Sequence, residues 1–116
     1  MVVDDSKLWH DHVRQILEPY PGLEIVATAQ TGEEAIIKAR LRHPDVIVMD
    51  LGLPEMNGFE AAKQIREEFP EVKFVFFSVQ SNPATISAVL SLKGSAYVTK
   101  TRGWADLARA IKNVVS

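Results

Sequence analysis

No cysteine occurs in this 116-residue chain, which excludes a disulfide scaffold, a Cys-ligated zinc site and a thiol nucleophile. A dominant charge is missing too. Thirteen basic side chains face fifteen acidic ones, and a formal net charge of -2 argues against a dedicated nucleic-acid binder, which carries a basic patch. Apolar runs are only a handful of residues long, so nothing in the pattern spans a membrane. Met1-Val2-Val3-Asp4-Asp5 turns acidic at once, without the basic flank and long apolar stretch of a signal peptide. No Gly-x-x-x-x-Gly-Lys or Gly-x-Gly-x-x-Gly follows an apolar run, which disfavours nucleotide binding. There is no internal repeat, low-complexity tract or linker. A chain of this length buries roughly two-thirds of the surface it exposes when unfolded, enough for a core without metal or disulfide staples. The expectation is one soluble, cytoplasmic domain.

What the chain does have is alternation. Short apolar runs rich in branched and aromatic residues occur at Met1–Val3, Leu23–Ala29, Val46–Met49, Val72–Phe77 and Ala96–Val98. Stretches with helical spacing separate them. Leu8, Val13, Ile16 and Leu17 share such a spacing, as do Phe59, Ala62, Ile65 and Phe69, and then Leu107, Ile111, Val114 and Val115. Val46-Ile47-Val48-Met49 and Phe74-Val75-Phe76-Phe77 show no polar alternation, so both faces of these strands are covered. Five strand–helix units with buried strands predict a doubly wound (βα)5 sandwich, an α/β fold with a parallel sheet of order 2-1-3-4-5.

Punctuation agrees. Thr31-Gly32-Glu33-Glu34 is a capping box, in which Thr31 accepts from the Glu34 amide and Glu34 reaches back. Asn82-Pro83 offers an N-cap and then proline at the first position of a helix expected over Pro83–Lys93, with Gly94 placed to end it in a left-handed conformation. Pro44 and Pro70 stand between helices and the strands that follow.

Open sheets of this kind bind ligands beyond the carboxyl ends of their strands. The first strand runs into Asp4 and Asp5, the third ends at Asp50, the fourth at Ser78, and Lys100 follows the fifth. The second strand, expected at the edge, ends in Thr28-Ala29-Gln30 with no ionisable group. Three crowded carboxylates repel, and one takes up a proton unless a cation joins them. Oxygen ligands without histidine suit a hard ion, and a partial shell with room for water and a phosphoryl oxygen suits Mg2+ better than Ca2+. An aspartate there can attack a phosphoryl group, with the metal and a lysine neutralising its equatorial oxygens.

These residues resemble a known family. Asp4-Asp5, Asp50 within Val48-Met49-Asp50-Leu51-Gly52-Leu53-Pro54-Glu55-Met56-Asn57-Gly58, Ser78, and Tyr97-Val98-Thr99-Lys100 are similar, in order and spacing, to the receiver domain of bacterial two-component response regulators. The resemblance covers essentially the whole chain, 1–116. It implies that Asp50 accepts a phosphoryl group from a sensor histidine kinase. It implies that Asp4, Asp5, Asp50 and the main-chain carbonyl of Gly52 organise Mg2+. It implies that Ser78 and Lys100 bind the phosphoryl oxygens, that Tyr97 turns inward as Ser78 moves, and that Gly52 and Gln80 set the lifetime of the phosphorylated state. Phe76-Phe77-Ser78-Val79 and Lys100-Thr101 look most like receivers joined to a LuxR-type helix-turn-helix domain, which implies dimerisation on phosphorylation and DNA binding through a C-terminal domain outside this chain.

There are departures from that pattern. Val79 stands where many receivers carry a small residue, narrowing access to the pocket, and Thr101 replaces the proline common after the lysine. Only three residues precede Asp4, so the first strand is expected to be unusually short or to lack residues at its start. A haloacid-dehalogenase-type phosphatase would need a general-acid aspartate two residues after Asp50, where Gly52 stands, so a phosphoacceptor switch is favoured over an enzyme. The other alternative is a degenerate receiver that only binds other proteins; its usual sign is loss of the acceptor, an acidic residue or the lysine, and all are present. His10 and His12 point different ways from one helix and receive no role. Trp9 and Trp104 are read as packing residues.

Overall fold

The computed structural model describes residues 1–79, 82–101 and 104–115. In chain order the elements are β1 (Val2–Val3), α1 (Lys7–Leu17), β2 (Thr28–Ala29), α2 (Gly32–Arg42), β3 (Val46–Met49), α3 (Gly58–Glu68), β4 (Lys73–Ser78), α4 (Pro83–Leu90), β5 (Ser95–Thr99) and α5 (Trp104–Val115). The strands form one parallel sheet of order β2-β1-β3-β4-β5. This is the expected topology.

Strand alternation sorts the core into two layers. Val3, Ile47, Met49, Phe74 and Phe76 point to one side, where they pack with Ala35, Ala39, Ala61 and Ile65 of α2 and α3 and Val89 of α4. Val2, Val48, Val75, Phe77 and Val98 point to the other, against Val13 and Leu17 of α1 and Leu107 and Ile111 of α5. Full burial of a phenylalanine or branched aliphatic side chain is worth about 1.5–3 kcal/mol. The uninterrupted apolar runs of β3 and β4 are what coverage on both faces requires.

Caps hold the helix starts. The Thr31 hydroxyl accepts from the Glu34 amide at 3.0 Å, Asn57 does the same for Glu60 at 2.9 Å, and Asn82 for Ala84 at 2.8 Å, with Pro83 at the first position of α4. Glu34 reaches back, but to the amide of Gln30, one residue before the cap.

Four expectations need correction. The second strand is Thr28–Ala29 rather than Leu23–Ala29, because its neighbour β1 is only two residues long and offers no further ladder partners. The fourth helix stops at Leu90 rather than Lys93; Gly94 does adopt φ +76°, but in the turn that enters β5. On α1 the buried stripe runs through His10, Val13, Ile16 and Leu17, while Leu8 is 61% exposed. Val115, at the end of α5, is likewise exposed.

Candidate functional site

The register explains why the polar residues meet. Val3 lies opposite Met49, Met49 opposite Phe76, and Phe76 opposite Tyr97. One step further along the strands, Asp4 and Asp50 stand side by side at the carboxyl edge. β4 and β5 run on to Ser78 and Thr99, which pair, and Lys100 follows. Main-chain bonds from Asp4 to Ala29 and from Asp50 to Val3 extend the ladders to the rim.

Lys100 joins the carboxylates. Its Nζ donates to Asp4 Oδ2 at 2.6 Å and to Asp50 Oδ2 at 3.2 Å, and its side chain is only 5% exposed. The remaining oxygens are also occupied: Asp4 Oδ1 accepts from the Ser6 amide at 2.9 Å, and Asp50 Oδ1 from the Gly52 amide at 3.2 Å. Burial pushes the Asp4 carboxyl above its ordinary range; Lys100 and the Ser6 amide pull it back, and the charge of Asp50 pushes it up again. Asp5 is exposed beside them. One carboxylate oxygen from each of Asp4, Asp5 and Asp50 lies within 4.8 Å of the others, an all-oxygen set that fits a hard divalent cation.

Ser78 is fully buried, and its carbonyl accepts from the Lys100 amide at 2.9 Å. Tyr97 is half-buried against the α2/α3 layer of the core. Its hydroxyl is buried without a hydrogen-bond partner among the described residues, and burial, followed by the charge of Asp50, raises its pKa. Gln80 lies outside the described residues. Val79 is 67% exposed, so its side chain stands largely in solvent at the rim.

Three residues not assigned to the site on sequence grounds belong to its walls. His10 donates from Nε2 to the Asp4 carbonyl at 2.8 Å, fixing the backbone that carries the first carboxylate. The available signal was a histidine in phase with Val13 and Leu17, a polar residue on a buried stripe. Trp9 packs, as expected, but it packs against Lys100, whose Nζ lies 4.5 Å from its ring centroid. Gly58 starts α3 beneath Asp50, and a β-carbon there would sit 2.0 Å from the Asp50 carbonyl oxygen. In the sequence Asn57-Gly58 signals a turn and a helix start, whereas the close approach depends on how the loop folds back.

Comparisons with known proteins agree with the fold. Residues 1–112 match the response regulator receiver domain family. The chain is 32% identical over 114 residues to the transcriptional regulatory protein DegU of Brevibacillus brevis, covering 98% of this chain and 48% of that one. It is 39% identical over 108 residues to a protein-glutamate methylesterase/protein-glutamine glutaminase of Carboxydothermus hydrogenoformans, covering 92% of this chain and 30% of the other. A crystal structure of a LuxR-family two-component response regulator from Aurantimonas superposes with a TM-score of 0.92 at 33% identity, covering 98% of this chain and 81% of that one. The chain thus spans about half or less of the two curated relatives. No helix among the described residues is long and apolar enough to cross a membrane.

Proposed function

The chain belongs to the response regulator receiver domain family, whose members act as phosphoacceptors, and on that premise we propose that Asp50 takes a phosphoryl group from a sensor histidine kinase. The observation that carries this reading is the rim itself: three carboxylates within 4.8 Å of one another, two of them held by one buried lysine. A carboxylate oxygen of Asp50 forms the new bond to phosphorus. The donor's bond to phosphorus breaks, and its electron pair leaves with the donor, whose nitrogen or oxygen takes any proton it needs from water, since the Asp50 carboxylate has none to give. Asp4, Asp5, Asp50 and the Gly52 carbonyl are the residues that would hold Mg2+. Bound there, it would supply charge neutralisation for the transferring oxygens. Lys100 and the Ser78 hydroxyl hold the phosphoryl oxygens, and Gly52 and Gln80 tune how long the acyl phosphate survives.

The phosphoryl group adds about -1.5 to -2 charges and strong acceptor oxygens at the rim. Ser78 is the differential contact between the two states, because its hydroxyl can bond the phosphoryl group only after phosphorylation. Movement of the end of β4 toward it vacates space that the Tyr97 side chain, whose hydroxyl makes no hydrogen bond among the described residues, fills. The surface altered is α4, β5 and α5, and the consequence is homodimerisation. The output is transcription regulation in the cytoplasm through a C-terminal DNA-binding domain, the arrangement suggested by similarity to DegU and the LuxR-family structure.

Sedimentation with magnesium and acetyl phosphate tests the switch. The unmutated domain is expected to self-associate on phosphorylation. Ser78→Ala is expected to gain the phosphoryl group by intact mass and yet remain unchanged in sedimentation. Full switching by Ser78→Ala contradicts the route through Ser78 and Tyr97.

A further inference from the structure

Lys100 is held between two chemically different surfaces. On one side are the carboxylates of Asp4 and Asp50, at 2.6 and 3.2 Å. On the other are aromatic faces: Nζ lies 4.5 Å from the ring centroid of Trp9 and 5.9 Å from that of Phe77. Trp9 is itself wedged, edge-on to Phe77 at 5.4 Å and to His12 at 5.3 Å. Alternation along β4 and β5 puts Phe77, Val98 and Lys100 on the side of the sheet covered by α1 and α5, and Ser78 and Tyr97 on the other. The two groups proposed to hold the phosphoryl oxygens therefore reach the rim from opposite faces, and the lysine is backed by the Trp9 indole.

We infer that Trp9 is a positioning residue for phosphoryl transfer: its ring holds the Lys100 ammonium at the rim while the carboxylates that now hold it are drawn into other bonds. This role rests on the function proposed above. When Asp50 forms an acyl phosphate its carboxylate charge gives way to that of the phosphoryl oxygens, and a cation held by Asp4, Asp5 and Asp50 would compete with Lys100 for those carboxylates. Both ionic partners of the lysine weaken at the step in which its position matters. Its four-carbon stem carries large rotamer freedom, so between release from the carboxylates and capture by the incoming phosphoryl oxygens the ammonium has no fixed place without the ring. The indole neither titrates nor binds the metal, and its negative face attracts a cation most strongly where water is excluded, as around this 5%-exposed side chain. Phe77, farther away, is the weaker support.

Phosphorylation rates with acetyl phosphate, measured on the unmutated domain, Trp9→Phe and Trp9→Leu, test this role. Trp9→Leu is expected to lower the maximal rate about ten-fold while magnesium affinity stays within about two-fold, and Trp9→Phe to restore most of the rate. Retained magnesium affinity shows that the rim is folded. A rate in Trp9→Leu equal to the unmutated one overturns the role, as does a loss in Trp9→Phe as large as in Trp9→Leu, which would mark lost packing rather than a lost ring face. Proton NMR of the unmutated domain gives a reading independent of any variant. The Lys100 ε-methylene protons are expected upfield in the indole ring current and to stay there with magnesium and beryllofluoride; their return to solvent-like shifts overturns the role. If the unmutated domain takes up no phosphoryl group, the proposed function falls and this role with it; uptake with an undiminished rate in Trp9→Leu removes the role of Trp9 alone.

Discussion

Two ion-pair regions of this molecule have nearly the same bond lengths and very different surroundings. Arg40 of α2 grips Glu68 of α3 through three contacts of 2.9 to 3.0 Å, with side chains 55% and 42% exposed. Lys100 grips Asp4 and Asp50 at 2.6 and 3.2 Å, with side chains between 4% and 10% exposed. Water screens the first pair, so it adds little to stability despite its geometry. The second has surrendered hydration and is held because one ammonium is shared between two carboxylates whose other oxygens accept from the Ser6 and Gly52 amides. Distance alone therefore does not rank these interactions. The buried pair is a set of charges kept in tension, and a divalent cation or a phosphoryl group can redistribute it.

The largest effect is expected where the rim's backbone is tightest. Gly58→Ala places a methyl group against the Asp50 carbonyl, which neither main chain can avoid without moving the loop. A loss of about 3 kcal/mol in chemical denaturation is the expected result, at the upper end for overpacked sites. A wild-type midpoint would mean that the loop after β3 is looser than described.

Lys100→Met comes next, and its effect is expected to depend on pH. Burial already holds the Asp4 carboxyl above its ordinary 3.8, and removing Lys100 takes away the contacts that lower it. A raised carboxyl pKa favours the protonated folded state. The deficit should therefore be small below 3.8 and grow as pH rises through the raised value. At neutral pH about 2 kcal/mol is expected, less than for a fully buried pair because the rim opens to solvent on one side. Magnesium should recover part of it by neutralising the same carboxylates. Denaturation curves at acidic and neutral pH, with and without magnesium, check this; a deficit independent of pH would mean that Lys100 contributes by packing alone.

Arg40→Ala is expected to do least. No change separable from replicate scatter should appear in thermal melts, and added salt should leave the comparison unaltered. A clear loss there would erase the contrast between the two regions.

The sequence made the topology legible because both of its signals were strong. Unbroken apolar runs such as Phe74–Phe77 require coverage on both faces, and strand ends in a parallel sheet share one edge, which is why Asp4, Asp50 and Lys100 could be placed together from spacing. Pairing and phase were less visible. Leu23–Ala29 looks like a strand by composition, but a strand exists only as far as its neighbour extends, and β1 extends two residues. Leu8 and His10 differ in helical phase, and the local pattern of apolar residues favoured the wrong one. Trp9 was identifiable as a packing residue, but its partner, Lys100, lies 91 positions away in sequence and meets it only through the register of β4 and β5 and the docking of α1.

The central claim is that Asp50 is the group on which the rim's chemistry is spent. Intact mass spectrometry after incubation with acetyl phosphate and magnesium addresses it directly, on the unmutated domain and on Asp50→Asn. One added phosphoryl group on the unmutated domain, lost when magnesium is chelated and absent from Asp50→Asn, is the predicted result. No uptake by the unmutated domain would contradict it and leave the degenerate, protein-binding receiver as the better description; equal uptake by Asp50→Asn would contradict it by placing the phosphoryl group on another residue.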